Sequence, residues 1–473
     1  MKTIKPPPTK DRKQCPDTVQ SYMSQLEKVL MSQQIRLDEL EAAVDKLSSK
    51  KRKDSSNSSK PPSSDSPYSG KRQNKKPEKS KEAGTGSKRK KGAQPGHKGH
   101  QQTLLEPTET QAILPSYCAC GCTSFEGATC EPFYIHQNIE LPPPRVDVRH
   151  FVLHKCQCPA CGQQVKAEVP QNVKTGFGPR FSAFIAEMSG PKGLSRLSVQ
   201  NLVNSLFEIS ISTGAIQNII DRATKALAPI YQRIAEVARS SYCNYVDETS
   251  WKLSHDLCWL WVMTNERVGF YRVDPHRSKQ AFERLVENWN GILISDGYGL
   301  YQKWINHRQT CIPHLIRRAR GLSERETPHI KRFGEMMLEL LQRLIHFSKE
   351  PPGEQEWSDF YQELMVLLSL YGGAEDDAGI MARHVFDMLE NLWVFLDLEG
   401  IEPTNNRAER ALRMGVLWRK RSLGTQSKKG NRWVESILSL VETCRIKGLR
   451  TFEVLNDAIK SHFEDSPLCT SWI

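Results

Sequence analysis

The chain has 473 residues and a formal net charge of +12, a length that suggests about three domains rather than one hydrophobic core. No run reaches the roughly 18 consecutive apolar residues that a membrane span requires. The start, MKTIKPPPTKDRK, lacks the apolar region of a secretory signal. These features exclude an integral membrane protein and a secreted one, and they predict a cytoplasmic protein in a reducing compartment.

The first predicted element is a helix within residues 1–50. Its apolar side chains recur in alternating steps of four and three residues, as in the seam of a leucine-zipper-like coiled coil, with one polar member. The seam positions are Val19, Met23, Leu26, Leu30, Gln33, Leu37, Leu40, Val44 and Leu47. We expect this helix to pair with a second copy and give a homo-oligomer. An amphipathic helix docked on its own chain has the same pattern.

Residues 51–110 are predicted to be a basic, disordered linker. From Ser48 to Gln102 the sequence is mostly Ser, Pro, Gly and Lys, which buries too little apolar surface to offset the ordering entropy. Residues 50–100 hold sixteen Lys and Arg against four Asp and Glu, so this segment carries the whole net charge. The concentration favours a polyanion partner such as nucleic acid. A linker that only maintains solubility has the same composition.

Residues 111–170 combine β-type patterns, FYIHQNIEL and RVDVRHFVLHKC, with seven of the thirteen cysteines. Two cysteine pairs are each followed by glycine, and four thiolates are a ligand set of structural Zn²⁺. The predicted zinc ligands are Cys118, Cys120, Cys158 and Cys161. Because the first pair is tightly spaced, Cys122 or Cys130 could replace a member, and Cys156 is a further spare. Buried cysteines without a metal are the alternative.

Residues 171–240 switch to a helical period, and LSVQNLVNSLFEISISTGAIQNIIDRA predicts two helices across a short turn, with Ser212 as the N-cap of the second. Seven apolar residues are placed to be buried: Leu202, Val203, Leu206, Ile209, Ile216, Ile219 and Ile220. This pattern is typical of a helix-turn-helix DNA-binding domain, whose second helix enters a major groove. Any small helical bundle shows it too.

Residues 241–440 are predicted to be the catalytic domain. Three β-type runs come first, CNYVDET, CWLWVMTN and RVGFYRVD, followed by a helix, SKQAFERLVENW, and a buried strand, GILISDG. Residues 314–398 are almost wholly helical in period, a last helical region starts near Thr404, and residues 441–473 form a helical tail. An antiparallel meander followed by a helix and a strand fits a ribonuclease H-like core with a helical insertion. The predicted fold class is multidomain α/β.

Three acids of this domain are candidate metal ligands. Asp247 and Asp296 each end a predicted apolar strand, and Glu409 lies in a predicted helix that Asn405 or Asn406 can cap. Acids at such strand ends are costly unless they are paired or metal-bound, and carboxylates suit the hard cations Mg²⁺ and Mn²⁺. A triad of this kind can hold two divalent ions for phosphodiester chemistry.

The same acids have simpler interpretations. Glu409 and Arg413, four residues apart on a helix, could form a surface ion pair worth about 0.2–0.5 kcal/mol. Each aspartate could instead cap a turn. Three further acids of the region are rival ligands, namely Glu248, Asp256 and Asp274.

In several sequence blocks the chain resembles a known family, the transposases of the bacterial insertion sequence 66 family. The similar blocks are VDETSWKL, CWLWVMT, ISDGYGLY, PHLIRRAR, PTNNRAERALR and WRKRSLGTQSKKGNRWVESILSLVETCR, with GAQPGHKGH and the paired cysteines upstream. The resemblance covers nearly the whole chain and is most specific in ETSW, TNNRAER and GTQSKKG. One departure is the first cysteine pair, where C-x-C replaces the C-x-x-C of many relatives.

The resemblance implies a DDE-type catalytic domain of ribonuclease H-like fold, dependence on Mg²⁺ and binding to terminal inverted repeats. The family's catalytic acids map onto Asp247, Asp296 and Glu409. His314, in C-x-x-H form with Cys311, matches a position between the second Asp and the Glu. It is a candidate to support the metal ligands, although a core histidine is the commoner explanation.

The sequence therefore predicts a transposase that hydrolyses phosphodiesters at element ends and joins the exposed 3′-OH to target DNA. Its expected partners are the terminal inverted repeats, target DNA, a second copy of the chain and possible accessory transposition proteins, and its expected location is the nucleoid. Six candidates for phosphate contacts are Arg407, Arg410, Arg413, Arg419, Lys420 and Arg421. The alternatives are a non-cleaving DNA-binding regulator, or domesticated transposase, and a ribonuclease H-like nuclease that does not join ends.

Overall fold

A computed structural model describes residues 103–473 together with Pro16, Leu30, Gln33 and Arg36. Leu30, Gln33 and Arg36 are helical and exposed, and the rest of the predicted coiled coil lies outside the described residues. Residues 51–102 of the predicted basic linker also lie outside them. Both predictions therefore remain predictions.

The described chain divides into two compact units. The larger unit contains residues 151–202 and 210–473, and the smaller contains residues 103–150 and 203–209. In the larger unit, a two-stranded hairpin, α-helices and a five-stranded mixed sheet occur together. The mixed α/β class predicted from the sequence is confirmed.

Residues 103–150 contain no helix and no strand. Phe133 and Ile135, which the β-type pattern placed on a strand, are 98% and 66% exposed. The strand predicted from FYIHQNIEL, residues 133–141, is wrong, because no neighbouring strand pairs with its backbone and a lone strand leaves its hydrogen-bonding groups unpaired. Within residues 111–170 the described strands are β1, Lys155–Gln157, and β2, Gln164–Lys166, which form an antiparallel hairpin.

Four α-helices precede the main sheet. A short 3₁₀-helix at Gln171–Val173 leads into them. The four helices are α1 (Pro179–Ser189), α2 (Arg196–Phe207), α3 (Thr213–Ala226) and α4 (Ala228–Arg239). Helix α3 packs against α1 and buries three of the residues predicted to be buried, Ile216, Ile219 and Ile220.

The turn before α3 was predicted correctly. The Ser212 hydroxyl accepts a hydrogen bond from the Ala215 N–H at 3.1 Å, so Ser212 is the N-cap of α3. Leu206, in the last turn of α2, was predicted to be buried and is instead 46% exposed. Whether α3 reads a major groove remains a prediction.

The main sheet has the order β5-β4-β3-β6-β7. Its strands are β3 (Cys243–Leu253), β4 (Asp256–Thr264), β5 (Gly269–Asp274), β6 (Ile292–Ser295) and β7 (Arg308–Thr310). The first three form an antiparallel meander, and β6 and β7 run parallel to β3. Helix α5, Lys279–Val286, makes the crossover from β5 to β6, and a 3₁₀-helix, Tyr301–Lys303, follows β6. The predicted order of strands and helix is confirmed.

A helical block follows β7, where the sequence predicted an insertion. Its helices are α6 (Ile312–Ser323), α7 (Pro328–His346), α8 (Glu354–Gly372), α9 (Asp377–Asp387) and α10 (Val394–Asp397), with a 3₁₀-helix at Leu389–Asn391. The block has a hydrophobic core of its own, which includes Leu315, Phe333 and Phe360. A separate core makes the block a rigid support beside the sheet.

Three helices complete the chain: α11 (Asn406–Ser422), α12 (Lys428–Lys447) and α13 (Thr451–Glu464). Helix α11 packs against β3 and β4, α12 packs against β5, and α13 packs against α1 and α3. Helix α12 runs across residue 440, where the sequence placed a boundary. None of the described helices is long and apolar enough to cross a membrane.

Candidate active site

Asp247 and Asp296 both lie just past the point where the parallel pairing of β3 with β6 ends. Tyr245 of β3 is level with Ile294 of β6, and each aspartate is two residues further on. Asp296 directly follows β6, as predicted. Asp247 was predicted to end a strand but lies within β3, because pairing with β4 continues to Leu253.

Glu409 comes to the site from the first turn of α11. Asn405 is the N-cap residue but makes no side-chain cap; instead its Nδ2 donates a hydrogen bond to the Val246 carbonyl at 3.0 Å. The start of α11 is thus fixed to β3 beside Asp247. Among the described residues, Glu409 has no ion pair with Arg413; His314 Nε2 lies 3.7 Å and Arg317 Nη2 3.8 Å from its Oε1.

The electrostatics of the site favour a bound cation. Burial, and then repulsion from Glu248, Asp296 and Glu409, raise the pKa of Asp247 well above its ordinary value. Burial also raises the pKa of Asp296, although the Tyr298 N–H, which donates to its Oδ1 at 3.0 Å, opposes the shift. Carboxyls that are buried and repel one another become stable as carboxylates when a cation neutralises them. The donor set consists of hard oxygens, which fits Mg²⁺ or Mn²⁺.

The three rival acids are occupied elsewhere or point to solvent. Arg284 donates two hydrogen bonds of 2.9 Å to the buried carboxylate of Asp274. Arg277 and Tyr301 bind the carboxylate of Glu248. Asp256 is exposed at the start of β4, next to the turn that follows β3. The partners of Glu248 and Asp274 lie on other elements of the fold. The spacing of acids in the sequence therefore could not distinguish these rivals from the triad.

His314 and Cys311 adjoin Glu409. Cys311 is fully buried and its Sγ accepts the Asn405 N–H at 3.1 Å, while His314 Nε2 lies 3.7 Å from Glu409 Oε1. Their ligand atoms and that of Glu409 all lie within 4.8 Å of one another. Burial, followed by the charge of Arg317, lowers the pKa of His314 to about 3, so the imidazole is neutral at pH 7. A neutral ring beside Glu409 fits a supporting role.

Comparison with known proteins identifies the family. Residues 174–432 match the family described as Transposase IS66 family, a range that covers more than half of the chain and includes all three acids. The chain belongs to that family. Residues 5–103 also match a family of unknown function, DUF6444. This IS66 family transposase is similar to two uncharacterized proteins of Sinorhizobium fredii. It is 22% identical to y4jD over 405 residues (77% of each chain) and 25% identical to y4qI over 236 residues (42% of this chain and 43% of that one).

Sequence reasoning missed three arginines that surround the acids of this transposase. Arg308 is 2% exposed, and its Nη1 donates to the Asp296 carbonyl at 3.5 Å. Burial lowers the pKa of Arg308 to about 10, an effect that the charge of Asp296 opposes. Arg317 Nη2 lies 3.8 Å from Glu409 Oε1, and Arg277 binds Glu248. Of the three, only Arg317 could have been found from the sequence, because it lies three residues after His314 and so shares a helix face with it.

The six predicted phosphate contacts fall into two groups. Three bind the transposase's own backbone: Arg407 donates to Asn265 O at 3.2 Å, Arg419 to Ser250 O at 2.5 Å, and Arg421 to Lys192 O at 2.8 Å. The other three are exposed and form no hydrogen bond or ion pair with any described residue, and they are Arg410, Arg413 and Lys420. These three keep their charge available to a phosphate.

Each cysteine pair forms a tight turn. Gly121 has φ +93° and donates its N–H to Cys118 O at 2.9 Å, and Gly162 has φ +73° and donates to Cys158 O at 2.8 Å. Hydrogen bonds from backbone N–H groups lower the pKa of two of the thiols. The largest effect on Cys120 comes from the Cys122 N–H, and the largest effect on Cys158 comes from the Cys161 N–H. Both turns have the local geometry expected of zinc knuckles. A shared zinc remains a prediction.

Proposed function

We propose that this IS66 family transposase is a DDE enzyme that cleaves phosphodiesters at element ends and joins the resulting 3′-OH to target DNA. The observation that carries the proposal is that Asp247 and Asp296 each lie two residues past a level residue pair on parallel strands, with Glu409 at the start of a helix tied to β3. The meander followed by two parallel strands supports a ribonuclease H-like core.

Asp247, Asp296 and Glu409 are the residues that would hold two Mg²⁺, or Mn²⁺, ions. When bound, these ions would activate the attacking oxygen and stabilise the leaving oxygen of an in-line displacement. The protein's own part is to hold three half-buried carboxylates at fixed positions in β3, directly after β6 and in the first turn of α11. Preorganised ligands of this kind need no rearrangement when the substrate binds.

The reaction has two displacements with the same geometry. In the first, a water oxygen forms a bond to phosphorus and the bond to the 3′-oxygen breaks, which leaves a 3′-OH at the element end. In the second, that 3′-OH attacks a target phosphodiester, and one P–O bond replaces another. No covalent bond to the protein is needed, so positioning supplies much of the catalysis.

Arg410, Arg413 and Lys420 are proposed to bind DNA phosphates beside the site. They lie on the helix that carries Glu409, at spacings of three and seven residues that place them along one face. The terminal inverted repeats and the target strand are the proposed DNA partners. The coiled coil of residues 1–50 would bring two copies together on two ends.

A strand-transfer assay on DNA that contains an element end, run beside plain cleavage, tests this function. The expected result is Mg²⁺-dependent cleavage and joining, both abolished by Asp247→Asn, Asp296→Asn or Glu409→Gln with DNA binding retained. Asp256→Asn is the matched control and should remain active, because Asp256 is exposed away from the triad. Cleavage without joining would indicate a nuclease, and binding without cleavage would indicate a regulator.

A further inference from the structure

Glu248, the residue after Asp247, is a buried carboxylate with both oxygens occupied. Its side chain is 1% exposed. Arg277 Nε donates to Oε1 at 2.6 Å, Arg277 Nη2 lies 2.5 Å from the same oxygen in an ion pair, and the Tyr301 hydroxyl donates to Oε2. A buried carboxylate that loses such a partner becomes an uncompensated charge. The backbone next to Asp247 is therefore strongly coupled to Arg277.

The same guanidinium also holds the loop that carries Asp296. Its Cζ lies 3.8 Å from the centroid of the Tyr298 ring and 5.0 Å from that of Trp259. Tyr298 in turn donates its backbone N–H to Asp296 Oδ1 at 3.0 Å. Its hydroxyl donates to the Arg277 carbonyl at 3.5 Å. Tyr298 therefore contacts Arg277 with its ring and Asp296 with its backbone.

These contacts restrain the Asp296 loop in addition to the hydrogen bond from Arg308 Nη1 to the Asp296 carbonyl. Its sequence after Asp296 is Gly-Tyr-Gly, and a Cβ added at Gly299 would meet nothing within 4 Å. Glycines give the backbone wide conformational freedom. The ring of Tyr298 packs edge-on against that of Tyr301 at 5.8 Å. Arg277, through Tyr298, is a second restraint on this loop.

We propose that Arg277 is a positioning residue of the metal site, an inference that rests on the proposed function. It joins Glu248, next to Asp247, to Tyr298, two residues after Asp296, and so fixes the separation of the two aspartates. Arginine suits this role because one planar group can bind a carboxylate with two N–H donors and stack on a ring at the same time. A lysine ammonium keeps the charge but lacks the planar fork, so it cannot make both contacts at once in that geometry.

Binding of Mn²⁺ to the full chain, measured by isothermal titration calorimetry, tests the role without relying on activity. Asp247→Asn provides the background for metal bound elsewhere. We expect Arg277→Lys to raise the Mn²⁺ dissociation constant by about 10–100-fold, as is typical when a partner of a metal ligand is lost. The Mg²⁺ midpoint of cleavage should rise in parallel, with DNA binding in metal-free buffer unchanged.

Arg284→Lys is the matched control. Arg284, on α5, holds the buried Asp274 of β5 with two hydrogen bonds of 2.9 Å, which is the same chemistry, but within the described part of the chain it forms no hydrogen bond or ion pair with the Asp296 loop. If loss of a buried arginine–carboxylate pair only destabilises the fold, Arg277→Lys and Arg284→Lys should both lower the melting temperature. The inference requires that Mn²⁺ affinity falls for Arg277→Lys and not for Arg284→Lys.

The outcomes separate the inference from the function on which it rests. Wild-type protein that binds Mn²⁺ no better than Asp247→Asn would remove the proposed metal site itself. Wild-type binding with an equal affinity in Arg277→Lys would overturn the positioning role alone. So would a loss of DNA binding with unchanged Mn²⁺ affinity, which would make Arg277 a DNA contact. If Arg277→Lys does not fold, Tyr298→Leu, which removes the ring but keeps the N–H, decides by the same criteria.

Discussion

The side-chain amide of Asn405 donates a hydrogen bond to the carbonyl of Val246 at 3.0 Å. Asn405 is fully buried, although it stands 159 residues from Val246 in the sequence. It immediately precedes α11, and Val246 immediately precedes Asp247. The bond therefore sets where Glu409 lies relative to Asp247, and it joins two blocks, PTNNRAER and VDETSW, that sequence alone shows only as separate motifs.

Removal of that bond should disable the site more than it harms the fold. Asn405→Ala leaves the buried Val246 carbonyl without this donor, which costs about 1–3 kcal/mol, and frees the first turn of α11. We expect the melting temperature to fall by a few degrees and single-end cleavage to fall at least tenfold, a loss of about 1.4 kcal/mol in transition-state stabilisation. Asn406→Ala, an exposed neighbour, should change neither; equal loss in both variants would contradict the idea.

Metal-free protein should be destabilised by its own aspartate. Because the pKa of Asp247 is raised, the folded state binds this proton more tightly than the unfolded chain does. The free energy of unfolding therefore falls as pH rises from the ordinary Asp value of about 4 through the raised one, by about 1.4 kcal/mol for each unit of the shift. At pH 7 without metal, Asp247→Asn should melt higher than wild type.

Added Mg²⁺ should reverse that order, because a bound cation stabilises the folded state by mass action. Differential scanning calorimetry at pH 5 and pH 7, with and without Mg²⁺, measures both effects. Asp256→Asn, at an exposed turn, is the control and should follow wild type. A wild-type melting temperature that is indifferent to both pH and Mg²⁺ would count against a buried, charged triad.

The three exposed cations of α11 should govern salt-sensitive DNA binding. Each Lys or Arg that neutralises a phosphate contributes roughly 0.9 to the slope of log affinity against log salt on duplex DNA. Alanine at Arg410, Arg413 and Lys420 together should lower the slope by roughly 2–3. Arg332→Ala, an equally exposed cation on α7, should leave it unchanged. Fluorescence anisotropy over a salt series provides the measurement.

Local pattern was enough to predict some features and not others. Asp296 was found because a short buried strand ends directly before it, and the Ser212 cap because a serine precedes a helical period; both are properties of adjacent residues. From the sequence, Glu248 and Asp274 were as good candidates for metal ligands as the triad. The structure shows that each binds an arginine, Arg277 or Arg284, from outside its own strand. The β pattern of residues 133–141 failed for the opposite reason, since alternation predicts a strand only if another strand lies beside it.

Zinc should be required for the cysteine turns to form one module. If Cys118, Cys120, Cys158 and Cys161 share a metal, elemental analysis of the purified chain should find about one zinc per chain. Cys161→Ser should lose it, whereas Cys469→Ser, an exposed cysteine far from both turns in sequence, should keep it. Chelation should also make residues 103–170 sensitive to protease, because metal binding supplies much of the folding free energy of such modules. If Cys161→Ser retains a full complement of zinc, Cys161 is not a ligand, and Cys122, Cys130 or Cys156 takes its place.

Pairing of two chains should depend on the seam of residues 19–47. Leu30 is helical and 61% exposed, and a seam of four heptads, about 44 Å at 1.5 Å per residue, is stable when a partner covers its apolar stripe. Replacing Leu30 and Leu37 with Lys should therefore give monomers in analytical ultracentrifugation. Complexes that hold two element ends should be lost, while cleavage at a single end is less affected. Gln34→Lys, which adds one positive charge off the seam, should remain dimeric. A wild-type protein that is monomeric both free and on paired ends would show that the helix docks on its own chain.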